Sequence, residues 1–168
     1  MLGLFKALQA AEAQKLRGGA PAHVSFAFTE GEINEYMQYS LGQTSRPGVK
    51  SVTVKLFPRN YISTFTVLDL DAVERWKPGT IPSLLRPLLN GQKTLWVDYR
   101  FQTRSGTMTF TVEKSYYQNV RLPALLVQEI IHIVAARQPE KYDTFRPMPL
   151  PFGVREVTTA DHTVAGTN

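Results

Sequence analysis

The segment from Leu122 to Arg137 constrains the fold more than any other stretch of the chain. Its apolar residues recur at steps of three and four, which predicts a helix with an unusually broad apolar stripe. The stripe comprises Leu122, Leu125, Leu126, Val127, Ile130, Ile131, Ile133 and Val134. Such a helix is not stable alone in water, so it must pack against a large apolar surface. The strands that precede it are the only obvious source of that surface.

Four segments before this helix alternate as β-strands do. They are Ser51 to Phe57, Tyr61 to Leu70, and the two arms of a long hairpin that turns at Arg104-Ser105-Gly106. The second strand has apolar residues on both faces, which a sheet wetted on one side would not need. The alternation therefore predicts an α+β fold in which the helix packs on an antiparallel sheet. We expect an N-terminal helix and linker over 1–20 and a single α+β domain over 21–166.

A local signal marks the start of a second helix. Thr29-Glu-Gly-Glu32 matches a capping box, in which the threonine and glutamate side chains satisfy the first free backbone amides. We expect a helix from Thr29 to Gly42, directly after a strand over His23 to Phe28. Asp69 and Asp71 are read mainly as caps of a short helical turn that ends at Trp76.

Composition and motifs exclude several functions. The chain has no cysteine and only three scattered histidines, so neither thiolate catalysis nor a histidine-built metal site is expected. Nucleotide-binding glycine motifs and metalloprotease motifs are absent, and no cofactor is predicted. The net charge of +5 favours anionic neighbours, including a membrane surface, but no motif indicates specific nucleic-acid binding. The first residues do not match a signal peptide, because Lys6 interrupts their apolar run.

The apolar surfaces lead to one main hypothesis and two alternatives. The main hypothesis is that the sheet and the Leu122 helix enclose a groove for a lipid or another hydrophobic ligand. The predicted lining is Phe65, Val67, Leu95, Val97, Tyr99, Phe110, Leu126, Ile130 and Ile133. The first alternative is a small pocket enzyme that uses Asp69, Asp98 or His132. The second is a structural adaptor whose apolar patch meets a partner chain.

The order of elements also resembles a known family. The Phe26-Ala-Phe-Thr-Glu-Gly-Glu-Ile strand and helix, the Leu68-Asp-Leu-Asp-Ala strand end, the Val120-Arg-Leu-Pro-Ala-Leu-Leu helix and the Leu150-Pro-Phe-Gly-Val tail carry the resemblance. Together they look like small bacterial envelope proteins of the LmeA and YceB-like kind, which are similar to tubular lipid-binding folds. The resemblance implies a strongly curved antiparallel sheet wrapped around a long helix, a lipid-binding interior and a location in the cell envelope or periplasm. It supplies no catalytic residues.

Overall fold

A computed structural model describes residues 25–43, 48–76, 78–79, 83, 90–125, 127–128, 146–150 and 153–167. Within them the chain is α+β, as predicted, with mainly antiparallel strands and few helices. The helices are α1 (Glu30–Gln43) and α2 (Leu70–Trp76). The strands are β1 (Ser25–Thr29), β2 (Val49–Phe57), β3 (Tyr61–Asp69), β4 (Gln92–Arg104), β5 (Thr107–Tyr117), β6 (Val120–Arg121), β7 (Met148–Pro149), β8 (Glu156–Ala160) and β9 (Thr163–Thr167).

The larger sheet is a strongly curled half-barrel with the strand order β2-β3-β4-β5-β6, and β7 pairs with β5. Consecutive strands are antiparallel neighbours, as expected for strands joined by short turns. The β4–β5 turn contains Ser105 and Gly106, both with positive φ, where the sequence predicted it. A β-bulge between Asp98 and Tyr99 interrupts the β4–β5 register, and such bulges increase the local bend of a sheet.

The register assigns the side chains of β2 to β5 to two faces. We call one the covered face, and it carries five buried apolar side chains: Val54, Leu56, Val97, Phe101 and Val112. We call the other the open face, and it carries Thr53, Lys55, Ser63, Phe65, Trp96 and Asp98. Both faces include large apolar groups, as the composition of the second predicted strand indicated. Only the covered face buries most of them.

The start of the predicted long helix packs on the covered face. Val127 is 2% exposed and forms a buried cluster with Val97 and Val112. The Leu122 amide donates to the Ser115 carbonyl at 2.9 Å, and the buried Ser115 hydroxyl donates to the Leu122 carbonyl at 3.2 Å. This pair of hydrogen bonds fixes the entry to the segment on β5. Residues 124–125 and 127–128 are helical, whereas the predicted continuation to residue 137 falls outside the described residues.

The structure adds a second sheet where the sequence predicted a single curved one. Strands β1, β9 and β8 form a three-stranded antiparallel sheet in that order. It is joined to the half-barrel by Thr103, whose hydroxyl donates to the Val157 carbonyl and accepts from the Val157 amide, and by the Thr159 amide, which donates to Asn60. Residues near both ends of the chain therefore meet in one sheet, and the predicted Asp161-His162 turn connects two of its strands.

Helix α1 begins as the capping box predicted. The Thr29 amide donates to the Glu32 carboxylate at 2.8 Å, and the Glu32 amide donates to the Thr29 hydroxyl at 3.2 Å. Further along, the Asn34 amide group donates to the Val54 carbonyl at 2.9 Å, and its oxygen accepts from the Val54 amide at 2.7 Å. Asn34 therefore replaces a neighbouring strand along the outer edge of β2, where unpaired backbone groups would otherwise be exposed.

Candidate functional site

The open face presents a pair of aromatic side chains. Phe65 on β3 lies directly opposite Trp96 on β4, and the two rings meet edge to face with centroids 6.4 Å apart. Phe65 is 40% exposed and Trp96 is 47% exposed, although large apolar groups are normally placed in the core. Strand alternation explains the placement, because their neighbours Thr64, Thr66, Leu95 and Val97 point to the covered face. The exposed rings are therefore available to contact another molecule.

These rings border a cleft of about 230 Å³. Its lining consists of Thr53, Lys55, Ser63, Phe65 and Trp96. Thr53 lies opposite Phe65, and Lys55 lies opposite Ser63, so the cleft spans two adjacent rows of β2, β3 and β4. One row is mainly aromatic and the other is polar. The cleft is thus amphipathic along the direction of the strands.

The polar groups that line the cleft form no hydrogen bond or ion pair within the described part of the chain. Neither the Thr53 hydroxyl nor the Ser63 hydroxyl forms a hydrogen bond there, and Lys55 forms no ion pair within those residues. A lysine ammonium can only donate hydrogen bonds, and hydroxyls donate as well as accept. The cleft therefore offers donors beside an aromatic wall.

A buried carboxylate orients the indole of Trp96. The Trp96 Nε1–H donates to the Asp98 carboxylate at 2.7 Å, and Asp98 is only 8% exposed. The Tyr61 hydroxyl also interacts with this carboxylate. Burial, followed by the hydrogen bond to Asp98, raises the pKa of Tyr61 to about 12, so the phenol stays protonated and donates. Asp98 therefore holds the ring that borders the cleft.

The next row along the strands, beside the row of Ser63 and Asp98, contains Tyr61 and Arg100. The Arg100 guanidinium donates to the Glu113 carboxylate at 2.7 Å and to the Arg59 carbonyl at 3.0 Å. It also lies over the Tyr61 ring, 5.5 Å from the centroid, in a cation–π arrangement. Arg100 is thus committed to local contacts, unlike Lys55 in the neighbouring row.

The predicted ligand-lining residues do not share one surface. Phe65 and Val67 belong to the open face, whereas Leu95, Val97, Tyr99 and Phe110 belong to the covered face. On the covered face Val97 is a core residue, and Tyr99 packs edge to face on Phe110 at 6.4 Å. The described members of the predicted set therefore divide between the two faces of the sheet. Leu126, Ile130 and Ile133 complete the predicted set and fall outside the residues whose side chains the structure describes.

The residues of the enzyme alternative are also separated. In the β3–β4 register, Asp69 lies opposite Gln92 and Asp98 lies opposite Ser63. The two aspartates are therefore six residues apart along the strands, a distance of about 20 Å. Asp69 accepts from the Ala72 amide at 2.9 Å and pairs with Lys50, which confirms its reading as a helix cap. His132 falls outside the described residues. Among those described, no group of three or more histidine, aspartate or glutamate side chains could hold a metal ion.

A second cleft, of about 480 Å³, lies beside the β4–β5 turn. It is lined by Ser105, Gly106, Leu150, Gly153, Val154 and Arg155. The Gly106 amide donates to the Arg155 carbonyl, and the Leu150 amide donates to the Gly106 carbonyl. These backbone groups are thus engaged within the protein, and Arg155 is the one ionisable residue among the described residues that line this cleft. It offers less chemistry for recognition than the smaller cleft on the open face.

Sequence reasoning missed the residues that make the open-face cleft, apart from Phe65. Strand alternation by itself assigns Trp96 and Asp98 to one face of β4, and Phe65 and Tyr61 to one face of β3. The missing information was the register that puts Phe65 opposite Trp96.

Comparisons with known proteins leave the function open. No family model matches the chain, and no curated protein or solved structure matches it significantly. No helix in the described part of the chain has the length and apolar composition needed to cross a bilayer.

Proposed function

We propose that the protein is a non-enzymatic binding domain for a lipid or another hydrophobic ligand, and that the open-face cleft is its contact site. The observation that carries the proposal is the exposed Phe65–Trp96 pair beside that cleft. Full burial of a large apolar side chain contributes about 1.5–3 kcal/mol, and the exposed fractions of Phe65 and Trp96 forgo part of it. Asp98 holds the indole in this exposed position, so the exposure is built into the packing.

The size of the cleft limits what it encloses. Pockets for drug-sized ligands usually measure about 300–1,000 Å³, and this one measures about 230 Å³. It therefore accommodates one ring or a short length of alkyl chain, with the rest of the ligand outside. A protein that shields only part of a lipid in this way suits contact at a membrane surface, and the net positive charge favours an anionic one.

We also propose that the predicted long helix forms and that the protein is located in the cell envelope. In it, the helix that starts at Ala124 continues over the covered face, so that the curled sheet wraps around it. The burial of Val127 against Val97 and Val112 supports this arrangement. With the covered face filled by the helix, the ligand contacts the opposite side of the sheet. The cell envelope or periplasm, implied by the family resemblance, remains part of the proposal.

Native mass spectrometry of the purified protein, followed by solvent extraction of bound lipid, tests the proposal. We expect a lipid or hydrophobic adduct on the wild type that is reduced at least fivefold in Trp96→Ala and Phe65→Ala. Tyr39→Ala is the matched control, because Tyr39 is an aromatic residue of α1 that is 58% exposed and does not line the cleft. Equal adduct levels in all variants would place the ligand elsewhere. A concentration-dependent dimer without lipid would instead favour the adaptor alternative.

A further inference from the structure

The polar lining of the open-face cleft indicates what kind of ligand it takes. Its polar side chains are Lys55, Ser63 and Thr53, one ammonium and two hydroxyls. Among the described residues that line the cleft there is no carboxylate, and Asp98, which lies opposite Ser63, accepts from Trp96 Nε1. None of the three polar groups forms a hydrogen bond or an ion pair with another described residue. A ligand that supplies hydrogen-bond acceptors and negative charge would complement this set, and charge-assisted hydrogen bonds are the stronger kind.

We propose that the ligand is an anionic amphiphile whose phosphate or carboxylate head binds Lys55 while its apolar part lies against Phe65 and Trp96. This inference rests on the proposed function and names the chemical class of its ligand. The exposed Thr53 hydroxyl supplies a further donor to the head, and Ser63, which is only 6% exposed, lines the same cleft. The source to which we commit is an amphiphile, such as a lipid, and a free inorganic anion is an outcome of the test.

The register places head and tail contacts at a suitable spacing. Lys55 and Thr53 point to the same side of β2 and are about 7 Å apart along the strand. Ser63 lies opposite Lys55, and Phe65 lies opposite Thr53. The charged row and the aromatic row are therefore immediate neighbours. A head bound in one row directs its first chain carbons into the other.

The nearby carboxylates are committed to other partners. The Glu30 carboxylate is close enough to Lys55 for mutual attraction, but it accepts from the Leu56 amide at 2.9 Å and contacts His162 Nδ1 at 3.1 Å. Asp98 is buried and accepts from Trp96 Nε1. Lys55 is thus held beside the cleft without an ion pair in the described structure. Its ammonium is available to a ligand.

Isothermal titration of the full chain with three octyl compounds tests the head group. We expect octyl phosphate to bind at least tenfold more tightly than octanol, and octyltrimethylammonium to bind more weakly than either. Lys55→Ala should weaken octyl phosphate binding at least fivefold and change octanol binding less than twofold. Trp96→Ala should weaken both. Inorganic phosphate at the same concentrations should not bind, because it lacks the apolar part.

Lys114→Ala is the matched control for charge. Lys114 lies on the same face but on β5, opposite Asp98, at three strand spacings or about 14 Å from Lys55. It should change octyl phosphate binding less than twofold. Equal effects of the two lysine variants, equal affinity for octanol and octyl phosphate, or equally tight inorganic phosphate would each overturn the anionic-amphiphile inference while the proposed function stands. If no octyl compound binds, the proposed function fails with it.

Discussion

The covered and open faces of the half-barrel are built from the same four strands, yet they treat their apolar residues differently. Val97 is 6% exposed, whereas its neighbour Trp96 is 47% exposed. Alternation places these two side chains on opposite faces, and among the described residues Leu122, Ala124 and Val127 pack on the covered face. The difference shows that apolar content does not identify the core. What packs over a face decides whether its residues stabilise the fold or remain available for binding.

The largest expected effect concerns stability. Leu56 is 1% exposed on the covered face, so Leu56→Ala should lower the free energy of unfolding by about 2–5 kcal/mol through lost burial and a residual cavity. Phe65→Ala removes a larger side chain from the open face, but because Phe65 is already 40% exposed it should cost only about 1–2 kcal/mol. Urea denaturation measures both. Similar losses in the two variants would break the distinction between the faces.

A smaller loss of stability is expected at Gly48, where the chain enters β2. Gly48 has a φ of 90°, and a Cβ there would overlap the Val73 Cγ2 methyl of α2. Gly48→Ala should therefore destabilise the protein by about 1–3 kcal/mol. Gly42→Ala is the control, because a Cβ at this helical position meets nothing within 4 Å and should be neutral or slightly stabilising. Thermal unfolding of both variants checks the difference, and equal midpoints would contradict it.

The smallest effect is a pH dependence at the edge of β2. Burial tends to raise the pKa of Glu30, but the Leu56 amide and His162 more than offset it, so the pKa lies below its ordinary value of 4.5. A lowered folded-state pKa contributes stability above pH 4.5 that is lost as the pH falls through the folded value. Glu30→Gln should therefore show a shallower loss of unfolding free energy between pH 5 and 3. If the free energy of unfolding falls as steeply with pH in Glu30→Gln as in the wild type, the contact of Glu30 with the Leu56 amide does not stabilise the fold.

Features that depend on nearby residues were predictable from the sequence. The capping box of Thr29 and Glu32 and the cap by Asp69 each join groups three residues apart, and both are confirmed. Strand alternation likewise predicted β2 to β5 and the β4–β5 turn. In each case the physics that forms the feature acts within a single segment.

Features that depend on distant pairing were not predictable. Strand β1 pairs with β9, so Ser25 meets Thr167, and no local pattern marks that partnership. For the same reason, the sequence did not show that the described residues of the predicted groove lie on both faces of the sheet. Alternation shows which residues of one strand share a face, but only the Phe65 to Trp96 register shows which faces of adjacent strands coincide. A shift of one residue in the register would exchange the two faces of β3. Because β3 is apolar on both faces, its composition could not show which face aligns with Trp96.

Side-chain NMR during an octyl phosphate titration tests the central claim most directly, since it reports which face the ligand contacts. We predict saturable shifts of the Thr53 methyl and the Trp96 indole N–H. The methyl groups of Val97, Val112 and Val127 should stay within the change seen for an equal concentration of inorganic phosphate. Shifts concentrated in those three valines, with Trp96 unaffected, would place the ligand between the sheet and the helical segment and would contradict the account.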